Sequence, residues 1–240
     1  MIADIRTVIW KERKSLFRQQ GSRVRILLTL LIPMIMVAIW FPWQMGPDWV
    51  EGYESLFSVL APMMMVLLTV PDSFAGERER HTLSTLLASR LPDRAIFFGK
   101  LAVSIGLGFG MMIIVLLLAL VTVNIVHWDG HVMLYSYRVV LVDLAFSLVL
   151  SVLIASAGVL ISLRASTVQD AQQMLGAAVM VPPMVVGVVL LALREQIAGV
   201  WGDLDIIYVV LIVMAVLVVA CAGLLAAAMA RFQRARLILS

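Results

Sequence analysis

Charge, cysteine and a leader cleavage site are scarce or missing in this sequence of 240 residues. Charged residues make up only 14% and hydrophobic residues 62%, whereas an average soluble domain is about 25% charged and about 45–50% apolar. The expected solvent is therefore a lipid bilayer. Cys221 has no partner cysteine, which excludes a disulfide bond within the chain. The apolar run after residues 1–25 lacks a small-residue cleavage site, so a retained first helix is expected.

A nucleotide-binding loop is also missing from the sequence. No stretch matches G-x-x-x-x-G-K-[ST], whose backbone cradles the phosphates of nucleotides. The glycines within residues 106–110 lie inside an apolar run, where close helix packing is their expected role. The sequence therefore predicts neither catalytic residues nor a cofactor bound by this chain.

Six apolar runs, each bounded by charged or turn residues, predict about six transmembrane helices. A span needs about 20 mostly apolar residues, so six spans leave only short connections. We therefore expect an all-α, polytopic membrane protein with residues 1–240 forming a single transmembrane domain. Prolines in the second and fifth runs predict kinks, packed against a neighbour or lining a translocation path. The runs are 26–44, 55–70, 101–126, 139–163, 174–193 and 206–230.

Lysine and arginine concentrate in alternate connections between these runs. Positively charged loops stay on the cytoplasmic side, so both termini are predicted to be cytoplasmic. The net charge of +3 then reflects contact of basic residues with anionic headgroups, and nucleic acid is not an expected partner. The other connections hold only Arg138 and Arg194. The basic segments are the cytoplasmic N-terminal segment 1–25, the loop 72–100, residues 164–173 and the tail 231–240.

The N-terminal segment has the pattern of an amphipathic helix. Ile5, Ile9 and Leu16 recur near one face with Val8 beside them, while Arg13 and its basic neighbours lie on other faces. We expect a helix that lies flat at the membrane interface. The alternative is a solvated basic tail.

The connection 72–100 is the longest and the most charged. Its leucines recur at helical spacing and need an apolar surface, and its charges alternate in sign. Two interpretations stay open, namely docking of a cytosolic partner and a membrane-lying connector with solvated charges. The candidate contact residues are Glu77, Arg78, Glu79, Arg80, His81, Thr82, Leu83, Leu86 and Leu87.

Residues 76–100, GERERHTLSTLLASRLPDRAIFFGK, resemble the signature loop of type-2 ATP-binding-cassette (ABC) transporter permeases. That signature reads Gly-Glu-Arg-Glu, then Gly-Thr-Leu, a Leu-Leu pair, and Gly-Lys at the next span. His81 stands where the family most often has glycine, and Arg90 where proline is common. The matching residues are Gly76, Glu77, Arg78, Glu79, Thr82, Leu83, Leu86, Leu87, Gly99 and Lys100.

The resemblance implies a coupling helix between helices 2 and 3 that docks on a separate cytosolic ATPase. ATP and Mg²⁺ would then be bound by that ATPase subunit. The resemblance further implies an exporter in a prokaryotic inner membrane, paired with a second permease copy or a paralogue. It does not indicate the substrate. The alternative functions are an ATP-independent secondary carrier or channel, and a non-transporting membrane scaffold.

Two further positions carry chemistry-bearing side chains. Asp143 lies well inside an apolar run and is a possible intramembrane polar site, which would bind a cationic substrate or relay a proton. Its alternative role is an ion pair with Arg138 or a headgroup contact. His127, Asp129 and His131 place three possible metal ligands at alternate positions, but a closed site needs a fourth ligand, and no metal site is predicted.

Overall fold

The chain folds as a bundle of helices in the computed structural model, which describes residues 2–18, 32–52, 54–82, 91–192 and 206–232. These residues contain no strand, and the predicted all-α class is confirmed. A 3₁₀-helix, Glu54–Val59, leads directly into α4. The α-helices are α1 (Ile2–Arg18), α2 (Ile32–Met45, with a π-helical turn), α3 (Asp48–Glu51), α4 (Leu60–Glu79), α5 (Asp93–Val126), α6 (Tyr137–Ser162), α7 (Val168–Ala192) and α8 (Ile206–Arg231).

Four helices within the described residues are long and apolar enough to cross a membrane. They contain most or all of the predicted second, third, fourth and sixth spans. The predicted fifth span lies in α7, which continues as a helix through Pro182 and Pro183. The described part of the predicted first span forms the shorter apolar helix α2. The four long helices are Glu54–Glu79, Asp93–Val126, Tyr137–Ser162 and Leu211–Arg231.

Helix α5 is the longest element, with 34 residues. At about 1.5 Å per residue it extends over about 50 Å, whereas the hydrocarbon core of a bilayer is about 30 Å thick. Its charged residues Asp93, Arg94 and Lys100 all lie in its first eight residues, and residues 101–126 carry no charge. One end of α5 therefore projects beyond the apolar layer.

The two ends of the bundle differ in character. We call the charged end the region formed by α1, the last turn of α4, the first turns of α5 and residues 163–168. A large apolar cluster that includes Val70, Phe97 and Val159 packs beneath it. We call the far end the region formed by residues 46–52, 54–59 and 127–136 together with the first three turns of α6; there Trp49 packs against α5.

Helix α6 lies at the centre and packs against α4, α5, α7 and α8. Small residues line its buried face and let neighbouring helices approach closely. At Gly158, a Cβ atom would lie only 2.8 Å from Val70 Cγ1 on α4. Helix α8 differs, because only 6% of the most apolar part of its span is buried. Such an exposed apolar surface is suited to contact with lipid or with a second chain.

The predicted N-terminal helix is present as α1, but its buried face is centred differently from the prediction. Val8 and Glu12 are buried, while Ile5 and Ile9 are only half-buried. The cause is close packing of α1 on the start of α5. A Cβ atom at Gly99 would lie 2.7 Å from Val8 Cβ, so the glycine is what lets the helices touch.

Candidate functional site

The charged end is organised around a buried lysine. Lys100 leaves only 1% of its side chain exposed, and its Nζ donates to Glu12 Oε1 at 2.9 Å and to the Ser73 carbonyl oxygen at 2.7 Å. The same Nζ lies 3.1 Å from Glu77 Oε1 and 5.5 Å from the centre of the Phe74 ring. The ammonium group therefore donates two hydrogen bonds and forms ion pairs with two carboxylates. The arrangement is a paired buried charge, which is the form in which buried charges persist.

Glu77 connects this lysine to the N-terminal helix. Its Oε1 atom also accepts a hydrogen bond from Lys11 Nζ at 3.0 Å. Lys11 and Glu12 belong to α1, Glu77 to the end of α4, and Lys100 to α5. The network therefore fastens three elements to one another at the point where α4 leaves the bundle.

Arg78 reaches the C-terminal end of α6. Its guanidinium donates to the carbonyl oxygens of Leu163 at 3.0 Å and Ala165 at 3.4 Å. The last carbonyl groups of a helix have no partner within the helix and carry partial negative charge, so a cation is stabilising there. Arg78 thus fixes α4 to the end of α6.

Glu79 makes the complementary contact with the start of the next helix. Its Oε2 atom accepts a hydrogen bond from the backbone N–H of Val168, the first residue of α7, at 3.0 Å. The first N–H groups of a helix also lack internal partners, and a carboxylate there both satisfies a donor and complements the helix dipole. Two successive side chains therefore hold both sides of the α6–α7 turn.

Arg80 folds back along its own helix. Its guanidinium lies 3.3 Å from Asp72 Oδ1 and donates to the Asp72 carbonyl oxygen at 3.3 Å. Gly76 makes room for this path, because a Cβ atom there would lie 2.6 Å from an Arg80 nitrogen. A larger residue at position 76 would therefore require the flexible end of Arg80 to shift.

His81 ends α4 in a left-handed conformation, with a φ of 56°. The backbone N–H of His81 donates to the Arg78 carbonyl oxygen at 3.0 Å, and that of Thr82 donates to the Glu77 carbonyl oxygen at 2.9 Å. This pair of hydrogen bonds is the Schellman motif, in which the residue that follows the C-cap is usually glycine. The preference of the family for glycine where this chain has His81 follows from that geometry.

The structure brings six of the nine predicted contact residues together at the charged end. The remaining three, Leu83, Leu86 and Leu87, lie outside the described residues. The four charges Glu77–Arg80 all make contacts within the chain. Sequence reasoning did not anticipate Lys11 and Glu12 as members of the network. The available signal was an acidic residue, Glu12, one helical turn after the apolar Val8.

Asp143 lies at the far end, away from the charged network. Its side chain is fully buried, and neither carboxyl oxygen accepts a hydrogen bond from the described residues. The Arg138 guanidinium lies over the Tyr137 ring instead, 5.7 Å from its centre. The role of Asp143 as an intramembrane polar site stays a prediction.

The segment with the possible metal ligands is also at the far end. His131 Nδ1 lies 3.2 Å from Asp129 Oδ1, while the His127 ring lies against Gly46, where a Cβ atom would come within 3.0 Å of His127 Nε2. Within the described part of the chain, no group of three or more His, Cys, Asp or Glu side chains is arranged to hold a metal ion.

Long apolar helices and an interlocked charged motif at one end are features of a multi-pass membrane protein. The family model described as ABC-2 type transporter matches residues 3–202. The chain therefore belongs to the ABC-2 type transporter family, which confirms the resemblance that residues 76–100 carry, and it is the membrane component of an ABC transporter. No curated protein and no solved structure matched the chain.

Proposed function

We propose that this chain is the permease subunit of an ABC exporter and that it receives force from a separate cytosolic ATPase. ATP and Mg²⁺ bind to that partner, and the permease performs no hydrolysis itself. A second permease copy or a paralogue completes the translocation path. The charged end faces the cytoplasm of a prokaryotic cell, and the chain resides in the inner membrane.

The observation that carries this proposal is the set of contacts made by the four consecutive charges Glu77–Arg80. Glu77 is fastened to α1 and α5, Arg78 to the end of α6, and Glu79 to the start of α7. Force applied to the segment that follows α4 would therefore reach four other helices through hydrogen bonds and ion pairs. A solvated connector would not need its charges to be distributed in this way.

The proposed mechanism is a tilting of helices between inward-open and outward-open states. Closure of the ATPase subunits would push on Leu83, Leu86 and Leu87, and the contacts of Glu77–Arg80 would transmit the displacement to the bundle. Transporters alternate between such states by movement of packed elements rather than by continuous deformation. Support for the cytoplasmic position of this end comes from the concentration of Lys and Arg there.

Charged substitutions at Leu86 and Leu87 test the docking step. The variant Leu86→Glu with Leu87→Glu should insert normally into the membrane but should lose co-purification with an ATPase encoded beside this chain. A matched control is Val132→Glu with Leu134→Glu, which adds the same two charges at exposed positions of the far end. Unchanged co-purification of the double variant would contradict the proposed coupling.

Reconstitution separates the permease from its alternatives. In liposomes that contain the chain and the ATPase, exported compounds should stimulate ATP hydrolysis. Substrate movement by the purified chain without any ATPase would instead show a secondary carrier or channel.

A further inference from the structure

The far end contains a buried carboxyl group that no described residue neutralises. Asp143 in the second turn of α6 has a relative exposure of 0%, and both of its oxygens lack a hydrogen-bond donor among the described residues. An isolated buried carboxylate is destabilising by several kcal/mol even after the protein relaxes around it. Within a membrane helix, such a residue marks a functional position.

Three serine hydroxyls converge on the same region. Ser147 follows Asp143 by four residues on α6 and therefore lies on the same helix face. Ser55 and Ser58 are three residues apart on the 3₁₀-helix, where such residues share a face, and this helix packs against α6. The Ser55 hydroxyl faces the Asp143 carboxyl group. All three serines are fully buried, and no described group hydrogen-bonds to their hydroxyls.

The nearby phenol is committed elsewhere. Tyr135 donates its hydroxyl hydrogen to the Leu116 carbonyl oxygen at 3.2 Å. Burial raises the pKa of Tyr135 above its usual range. Tyr135 therefore stays a neutral phenol beside the carboxyl group.

The charged groups of the packed elements do not compensate Asp143 either. Glu54 of the 3₁₀-helix is acidic, and Arg138 of α6 is exposed beside Tyr137. The described ionisable side chains of α4, α5 and α7 lie at the charged end, and those of α8 within residues 211–231 are Cys221 and Arg231. Within the described ranges, no ion pair joins Asp143 to a lysine, arginine or histidine.

We propose that Asp143, together with Ser55, Ser58 and Ser147, forms a proton-binding site at the far end of the permease. In the closed arrangement the carboxyl group holds a proton and is neutral. When α6 and the 3₁₀-helix separate, water enters, the O–H bond of the acid breaks, and the proton passes to water while the electron pair stays on Asp143. A proton suits this site better than Ca²⁺ or Mg²⁺ does. These ions require about six or more oxygen ligands, whereas one carboxyl group and three hydroxyls supply five.

The role of this proton in a transport cycle rests on the proposed function, but proton binding itself does not. Infrared spectroscopy of the full chain in lipid nanodiscs, without any ATPase, tests binding directly. At neutral pH the wild-type spectrum should contain the carbonyl band of an undissociated carboxylic acid, and this band should shift in D₂O. Asp143→Asn should remove the band, whereas Asp48→Asn, which changes an exposed carboxylate at the same end, should retain it.

Absence of the band, or its persistence in Asp143→Asn, would overturn the proposal. Loss of the band on addition of a metal salt at constant pH would show a metal-ion site instead. Because the measurement needs no ATPase, its failure is distinct from failure of the proposed permease function.

A stability measurement covers the case of a poorly folding variant. The asparagine amide mimics the neutral acid, so Asp143→Asn should be as stable as the wild type at neutral pH. At pH values above the range in which an aspartate side chain usually titrates, the folded wild type holds one more proton than the unfolded chain. Its unfolding equilibrium should therefore shift by up to tenfold per pH unit toward unfolding as the pH rises, and this dependence should be absent in the variant. A strongly destabilised Asp143→Asn would show instead that the wild-type carboxylate is ionised and paired.

Discussion

Lys100 and Lys11 approach the same oxygen, Glu77 Oε1, at 3.1 and 3.0 Å, yet their surroundings differ completely. The Lys100 side chain is 1% exposed and that of Lys11 is 47% exposed. Removing one partner of a buried ion pair strongly destabilises a protein, because the remaining charge has no water to solvate it. Exposed pairs contribute little, since water and salt screen them. The two lysines therefore form a matched pair for measuring the effect of burial.

The substitution Lys100→Met should destabilise the chain by about 3–5 kcal/mol, because it leaves the buried carboxylates of Glu12 and Glu77 with only the half-exposed Lys11 as a nearby cation. Lys11→Met removes the other positive charge that neighbours the Glu77 carboxylate and should lower the free energy of unfolding by only about 0–1 kcal/mol. Thermal unfolding of the purified variants in detergent would measure both effects. Equal destabilisation by the two substitutions would show that burial of Lys100 does not matter.

His81 is the second residue with a specific prediction. Its left-handed backbone is unfavourable for a side chain with a Cβ atom by about 1–2 kcal/mol, and glycine is free of that strain, although its own ordering is less favourable. The variant His81→Gly should raise the free energy of unfolding by up to about 1 kcal/mol. Arg80→Gly, one residue earlier at an ordinary negative φ, is the control and should be destabilising. If His81→Gly destabilised the chain, a contact made by the imidazole would have to be responsible.

Among the elements, α1 depends on one close approach to α5. Gly99→Ala would place a Cβ atom within 2.7 Å of Val8, and an overlap of this kind typically costs about 1–3 kcal/mol. Gly106 lies on the same helix with nothing within 4 Å of the equivalent atom. We expect Gly99→Ala to increase amide hydrogen exchange throughout α1 and Gly106→Ala to leave it unchanged. Unaltered exchange in the first variant would mean that α1 can shift without losing its contacts.

The long apolar elements could be predicted from the sequence because a bilayer imposes a length and a composition that a single run of residues displays. The second, third, fourth and sixth runs correspond to long helices for this reason. The partners of the charged residues could not be predicted in the same way. Glu12 and Lys100 are separated by 88 positions, and nothing in either local pattern specifies the other. The face of α1 was misjudged for the same reason, since a buried glutamate is acceptable only beside its lysine.

For residues 76–100, the sequence indicates a structured segment, and the folded structure supplies the contacts of its charges. Its charges indicated a structured segment, but the sequence left open whether they served a partner or the solvent. The structure shows that these charges connect helices, and it explains why glycine suits position 81. Their contacts depend on helix ends that only the folded bundle places beside α4.

For the whole molecule, the arrangement of ends leads to a topology prediction. In a Cys221→Ala background, an impermeant thiol reagent should label Asp48→Cys in intact cells, because the proposed orientation places the far end outside the cytoplasm. Ser166→Cys lies exposed at the charged end and should be labelled only after the membrane is opened. Labelling of Ser166→Cys from outside would reverse the proposed orientation and remove the basis for cytosolic coupling.

The uninterrupted length of α5 has a mechanical consequence. The first eight of its 34 residues, about 12 Å, precede the apolar run, and the remaining 26 extend for about 39 Å. If the ion-pair network at Lys100 serves as a pivot, a sideways displacement at the start of α5 is reversed in direction at the other end of the helix. The displacement there is about threefold larger, because the two parts of α5 are about 12 Å and about 39 Å long. A stroke of an ångström or two by a motor would then swing Ala119 and Val123 away from Trp49 and unseal the opposite mouth of the bundle.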